Sequence, residues 1–394
     1  MQQASTEVVM AGRLLIKNGV VAAGGVLSRQ DILCDGPRIA AIGRGMEADG
    51  AAVFDAAGLT LGPGFIDVHV HGGGGHSFFT HDPANVQGYA AWAPRNGVTS
   101  FLVSTVGRDD ADTLLVLWAL APTIGNTAGA EALGFHMEGP FINPLRKGAF
   151  PKDYLRAPAR EEFARYQAAA DGLIRQVTLA PELPLALELA SAVAVSGALP
   201  AMGHTDATTV QARAGFDTGV RHVTHLFNAM RPIHQREGGP VVAALLEGRV
   251  TCELICDGAH VAPELLQLAY RALGPARAVV VTDNLHIAGT DLTGGEFGGQ
   301  TISVTGAKAE RADGTIVGSV ATMDQHFRNV LDFLGVDVPT AFRLCAGNPA
   351  RVAGVQGRKG VLDRGMDADI VMLDRDMQVA ATICRGEIAF QRRG

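Results

Sequence analysis

Six residues of the 394-residue chain have the types and the spacing to act together on a metal ion: His69, His71, Glu138, His204, His225 and Asp283. Each lies at the end of a short apolar run. Gly64–His71 carries the first two, Ala132–Glu138 the third, Ala198–His204 the fourth, Arg221–His225 the fifth and Ala276–Asp283 the last. If these runs are strands, residues i and i+2 face one side, so His69 and His71 can reach the same ion. Imidazole nitrogens with carboxylate oxygens make a borderline-hard donor set, suited first to Zn²⁺ and also to Fe²⁺ or Mn²⁺. A bridging carboxylate at Glu138 would let two ions share one water, and water held that way ionises near neutral pH. Taken singly these residues say little. A lone strand histidine is ordinarily a satisfied core residue, and Asp283 alone could cap the segment after it. The weight lies in their recurrence at one strand end after another.

The elements that would position them follow from the same runs. Gly97–Thr105, Ile174–Pro181 and Val250–Asp257 bring the strand candidates to eight, short and apolar as expected when both faces are buried. Helical patterns such as Asp109–Leu120, Leu185–Val195 and Ala262–Leu273 fall between them. The alternation predicts an α/β fold, a (β/α)8 TIM-type barrel over 61–354, whose active sites lie at the strand C-termini. An open doubly wound sheet would usually carry GxGxxG after its first strand, and none is there. Residues 8–60 and 360–394 alternate in shorter runs, the former broken by Asn-Gly, Gly-Gly and Asp-Gly, and predict β-hairpins. A small β-domain formed from both termini, 1–60 plus 355–394, is the simplest arrangement. The Gly- and Thr-rich segment Thr290–Gly318 is expected as a long excursion after the eighth strand.

Composition removes several classes of function. Hydrophobic residues at 47% against 19% charged allow a sizeable core, and 49 glycines with only 6% aromatics suit tightly turned loops. A net charge of −7 without a basic stripe argues against a nucleic-acid partner. Neither a leader within Met1–Gly25 nor an 18-residue uncharged apolar stretch is evident, which predicts a cytoplasmic protein with no membrane partner. The five cysteines, Cys34, Cys252, Cys256, Cys345 and Cys384, contain no CxxC pair and are expected as free thiols.

Longer motifs add a resemblance. Pro63-Gly-Phe-Ile-Asp-Val-His-Val-His-Gly72 resembles the opening metal motif of the amidohydrolase superfamily. Gly134-Phe-His-Met-Glu-Gly-Pro-Phe-Ile-Asn-Pro144 resembles the narrower segment that holds the metal-binding Glu in N-acetylglucosamine-6-phosphate deacetylases. Val177-Thr-Leu-Ala-Pro-Glu, Gly203-His-Thr-Asp-Ala, Thr224-His-Leu-Phe-Asn-Ala-Met, Asp257-Gly-Ala-His-Val, Val281-Thr-Asp, Asn348-Pro-Ala and Gly365-Met-Asp-Ala-Asp follow in the family's order, over nearly the whole chain. The resemblance implies a metal-dependent hydrolase that takes the acetyl group from N-acetylglucosamine 6-phosphate. It implies Glu138, His204 and His225 as ligands of the main ion, His69 and His71 as a pair some members use for a second, and Asp283 as the acid/base carboxylate. Asn228, Ala229, Arg236 and His260 match sugar-phosphate positions, with Arg236 and His260 nearest the phosphate, and Ile316, Val317 and Gly318 match a backbone stretch touching substrate. An Arg fork and an imidazole are reasonable ligands for a dianion. One or two divalent ions per subunit, a small-molecule amino-sugar phosphate and a homodimer are what the family implies.

Departures from the pattern cluster around the substrate. The family's histidine beside the acetamide is replaced here, in Lys147-Gly-Ala149-Phe150, by a phenylalanine that cannot donate a hydrogen bond. Asn284 follows Asp283 where Ala is usual, and Gly238 stands where Pro is usual. His286, three residues past Asp283, is within reach of the same cavity. Gly72–Gly75 are expected to let backbone pack closely at the metal rim. Two alternatives keep part of the pattern: an amidohydrolase for another N-acyl amino sugar or a cyclic amide, and a catalytically silent sugar-phosphate-binding protein.

Overall fold

The computed structural model describes residues 12–392. Segments 1–11 and 393–394 lie outside the described residues, and with them the ends of the expected hairpins and the first residues searched for a leader. Eight parallel strands pair in chain order: β1 (Phe65–Asp67), β2 (Val98–Thr105), β3 (Glu131–Glu138), β4 (Ile174–Leu179), β5 (Leu199–Met202), β6 (His222–Val223), β7 (Thr251–Ile255) and β8 (Ala278–Val281). Every residue of β2, β3 and β8 is buried, as when a sheet packs its own interior on one face and helices on the other. Beyond β8 the ends of the sheet meet through main-chain bonds. Asp283 N–H donates to the His69 carbonyl at 2.9 Å, and His71 N–H donates to the Asn284 carbonyl at 2.8 Å. The seam of this (β/α)8 barrel thus runs through two of the expected site segments. Asp67, fully buried beneath it, accepts from Thr282 Oγ1 at 2.6 Å, and desolvation lifts its pKa to about 7 against those hydrogen bonds.

Two expected strands are much shorter than their apolar runs. Arg221–His225 supplies only His222–Val223, and Gly64–His71 only Phe65–Asp67. In both the chain leaves the ladder early to aim side chains inward. Several helices start at polar caps: Asp109 accepts from Asp112 N before Asp110–Leu120, and Thr208 with Gln211, and Thr322 with Gln325, form capping boxes.

A second sheet joins the two ends of the chain. Its order is Glu387–Gln391, Val379–Cys384, Ile370–Leu373, Thr60–Pro63, Leu14–Ala23, Val26–Asp35, Arg38–Gly43, with Ala52–Asp55 beside Leu14–Ala23. Gly24 and Gly25, both at positive φ, make the two-residue turn expected of Gly-Gly. Asn18-Gly19 makes no turn. It forms a bulge within Leu14–Ala23, with Asn18 at φ +67° and Gly19 packed so closely on Leu61 that a Cβ would lie 2.5 Å from it. Beneath the barrel, buried Lys359 and half-buried Arg358 bind Glu131 at the start of β3 together with Asp367 of the C-terminal segment. The segment after β8 is an antiparallel meander of Gly294–Phe297, Gln300–Thr305, Lys308–Glu310 and Ile316–Ser319. All five cysteines are free and buried. Among the described residues no helix is long and apolar enough to cross a membrane.

Candidate metal centre

At the C-terminal rim the strands deliver Glu138 to the middle of four imidazoles. Its Oε1 lies 3.0 Å from His204 Nε2 and 2.9 Å from His225 Nε2, and its Oε2 lies 3.0 Å from His71 Nε2. His69 Nε2 is 3.4 Å from both Glu138 Oε1 and Asp283 Oδ1, and His71 Nε2 is 3.3 Å from that Asp283 oxygen. Two donor groups result, His69–His71–Glu138 and Glu138–His204–His225, each with ligand atoms within 4.8 Å of one another.

Three observations fit these residues to a divalent cation. His69 Nε2 is buried and has no hydrogen-bond partner. The Nε2 atoms of His204 and His225 approach to 3.0 Å, where two nitrogen lone pairs need a proton or a cation between them. Glu138, Glu253 and Asp283 bring three buried carboxylates together. Burial disfavours charge on His69, but those carboxylates outweigh it and hold its pKa well above the imidazole range. A bound cation would supply that positive charge in their place.

The rings are aimed from behind. His69 Nδ1 contacts Glu253 at 2.8 Å, His71 Nδ1 the Ser104 carbonyl at 3.0 Å, and His204 Nδ1 the Arg146 carbonyl at 2.8 Å, which leaves each Nε2 facing the centre. His225 has no partner at Nδ1 and is held through its backbone, whose N–H donates to Glu253 at 2.9 Å. His204, His225 and Asp283 adopt φ of +47°, +29° and +52° just past their strands, a left-handed conformation that is uncommon outside glycine and clusters at working sites.

A cavity of about 280 Å³ opens above these groups. Of the positions expected on sequence grounds, His71, Glu138, Ala149, Phe150, His204, His225, Asn228, Ala229, His260, Asp283, Ile316 and Val317 line it, and His69 lies under its floor. Gly318 is behind the wall, so close to the Asp283 carbonyl that a Cβ would sit 2.8 Å from it. Arg236 is exposed on the His234–Glu237 turn, outside the lining. His260 is fixed by Asp257, Nδ1 to Oδ2 at 2.6 Å. His286 does not line the cavity; its ring lies against Gly295 of the meander. Gly73 and Gly74 pack on Trp92, with no room for a Cβ.

Sequence reasoning missed the support beneath. Glu253, fully buried on β7, also takes hydrogen bonds from Gln176 at 3.0 Å and His222 at 2.9 Å. Each is a polar residue inside an apolar strand run, the same signal that marked the candidate ligands.

Known proteins share this architecture. An amidohydrolase family model matches residues 60–389. The N-acetylglucosamine-6-phosphate deacetylase of Bacillus subtilis is 35% identical over 97% of this chain and 98% of its own length. The N-acetylgalactosamine-6-phosphate deacetylase of Escherichia coli O157:H7 is 32% identical over 98% of this chain and 99% of its own. A variant N-acetyl-D-glucosamine-6-phosphate deacetylase of Mycobacterium smegmatis, solved in complex with N-acetyl-D-glucosamine-6-phosphate, superposes with a TM-score of 0.91 at 34% identity, covering 96% of this chain and 100% of that one. With its barrel, its joined-end sheet and its shared-glutamate centre, the chain belongs to the N-acetylglucosamine-6-phosphate deacetylase family of amidohydrolases.

Proposed function

We propose that the protein hydrolyses the acetamide of N-acetylglucosamine 6-phosphate to glucosamine 6-phosphate and acetate. The observation that carries this reading is Glu138 set between two histidine pairs, with Asp283 beside them on the floor of a cavity sized for a sugar. Glu138, His204 and His225 would hold the main ion, and His69 and His71 a second. A divalent cation held there would polarise an amide carbonyl and activate water. Asp283 accepts the proton of the attacking water and returns it to the departing nitrogen, because an amine leaves poorly unprotonated. Asn228 and the backbone of Ala229, Ile316 and Val317 contact the sugar, and His260, its Nδ1 occupied by Asp257, presents Nε2 to the phosphate. Arg236 approaches the phosphate from the rim.

The donor set supports zinc as the resident ion. A cytoplasmic homodimer built from a barrel at 61–354 and a β-domain of 1–60 plus 355–394 completes the proposal. The C4 epimer is the second reading, because the Escherichia coli relative is named for it. Acetate release from both epimers, with and without phosphate, tests the assignment in one panel run alongside metal analysis. Turnover of the unphosphorylated sugars in preference to both phosphates would refute it.

A further inference from the structure

Aromatic rings close the site cavity on one side, and a second space lies behind them. Phe297 lines both: the cavity of about 280 Å³ over the metal-binding residues, and a neighbouring one of about 510 Å³. Phe79, which lines the second, meets Phe297 edge-on with centroids 4.7 Å apart and packs on His71 at 5.2 Å. Phe150 continues the wall, buried among Val106 and Ile142 with its ring 5.6 Å from His204. Phe297 is the last residue before a hairpin turn of Gly298 and Gly299, both at positive φ, so a short, tightly turned loop presents the ring.

The chemistry of the substrate says what such a wall is for. The hydroxyls and phosphate of an N-acyl amino-sugar phosphate need polar partners, while the acyl carbons beyond the carbonyl need apolar surface. The rings beside His71 and His204 adjoin the place where that carbonyl must react. They offer no hydrogen bond, and the far side of Phe297 and Phe79 opens on the second space, which His81, Arg108 and Asp112 also line, while Phe150 backs onto Val106 and Ile142. Resting on the deacetylase reading above, we propose that Phe297, braced by Phe79, sets the acyl length this enzyme accepts. It closes the acyl subsite just past the acetyl methyl and separates it from a chamber able to take a longer acyl chain.

The test is a set of glucosamine 6-phosphates carrying N-acetyl, N-propionyl, N-butyryl and N-hexanoyl groups, assayed for kcat/KM with the metal-loaded enzyme. One methylene in an apolar pocket discriminates by roughly 10- to 200-fold, so the wild type should fall at least about tenfold per added carbon. Phe297→Ala should raise the butyryl-to-acetyl ratio by on the order of 100-fold, two methylenes at the low end of that range. Phe79→Ala should raise it less. Should Phe297→Ala fail to fold, as a melting curve will show, Phe297→Leu decides by the same ratio. A variant that loses equally on every acyl length overturns the proposal, as does a wild type that takes hexanoyl as well as acetyl. No acyl release from any member by the wild type sinks the deacetylase assignment, and the gate with it, before any variant is compared.

Discussion

Replacing Glu253 with Gln should weaken the metal site without changing any residue that lines its cavity. Glu253 Oε2 accepts from His69 Nδ1 at 2.8 Å and from the His225 N–H at 2.9 Å, and Oε1 accepts from Gln176 and His222. An amide keeps one acceptor. Placed at the Oε2 position it still serves His69 and His225, while its NH2 group faces Gln176, whose own carbonyl oxygen has no partner and can turn to receive it, and His222, whose Nε2 accepts once Nδ1 carries the proton toward Thr251. The fold should therefore survive, and what is lost is charge. A hydrogen bond to a charged group contributes about 1.5–3 kcal/mol against about 0.5–1.5 for a neutral one, so each of the two bonds weakens by about 1–1.5 kcal/mol. The His69 share falls on the ligand's basicity and corresponds to about a tenfold weaker ion, the low end of the tenfold to hundredfold range for outer partners of metal ligands. Zinc affinity of the metal-free protein, measured by competition with a chelator, is the assay, with melting of the same sample beside it. Unchanged affinity in Glu253→Gln, while Glu138→Gln loses the ion, would refute the reasoning. So would a fall in melting temperature with affinity intact, which would make Glu253 a purely structural residue.

Asp283→Asn should keep the ion and the fold but slow turnover by on the order of 10²–10⁴, the usual range for a lost general acid–base, with full metal occupancy checked by elemental analysis. His260→Ala and Arg236→Ala should each lower kcat/KM about ten- to a hundredfold on the phosphorylated sugar and little on its phosphate-free analogue. Equal losses on both would make Arg236 a support of its exposed turn. Glu131 gives a pH prediction. Its burial would raise its pKa, but Arg358 and Lys359 overcome that and hold it at about 2. The folded value lies below the unfolded one of about 4.3. Its contribution is therefore complete above that value and is lost as pH falls toward 2, up to about 3 kcal/mol. Glu131→Gln should flatten the acid limb of a denaturant-stability profile between about pH 4.5 and 2; an unchanged limb would show that another group sets it.

The barrel was legible because each strand buries both faces and so reads as a short apolar run. The candidate ligands stood out as the polar residues that end those runs. The same rule, applied inside the runs, marks Glu253, Gln176 and His222 as well. Strand length was not legible. His225 and His69 belong to apolar runs yet sit past the last ladder pair, since tertiary hydrogen bonds pull the chain out of register to aim the rings. Asn18-Gly19 carries the composition of a turn, and its tertiary surroundings, Gly19 against Leu61 and Asn18 bonded to Asp31 and Asp55, hold it as a bulge. The expected excursion after β8 holds four strands that its Gly and Thr content concealed. Motif order places Arg236 along the chain but gives its side chain no direction in space, and in the structure it is exposed on a turn outside the cavity lining.

The sheet that joins the two chain ends has a consequence for synthesis. Thr60–Pro63 pairs with Ile370–Leu373, so an early strand waits roughly 300 residues for its neighbour. At about 5–20 residues per second the ribosome needs roughly 15–60 s to deliver it. For that interval the edge of Thr60–Pro63 that Ile370–Leu373 will cover has no strand beside it, and an open edge of this kind invites pairing with another chain. Ribosome-bound chains stopped before residue 370 should therefore be the most aggregation-prone stage in the making of this enzyme.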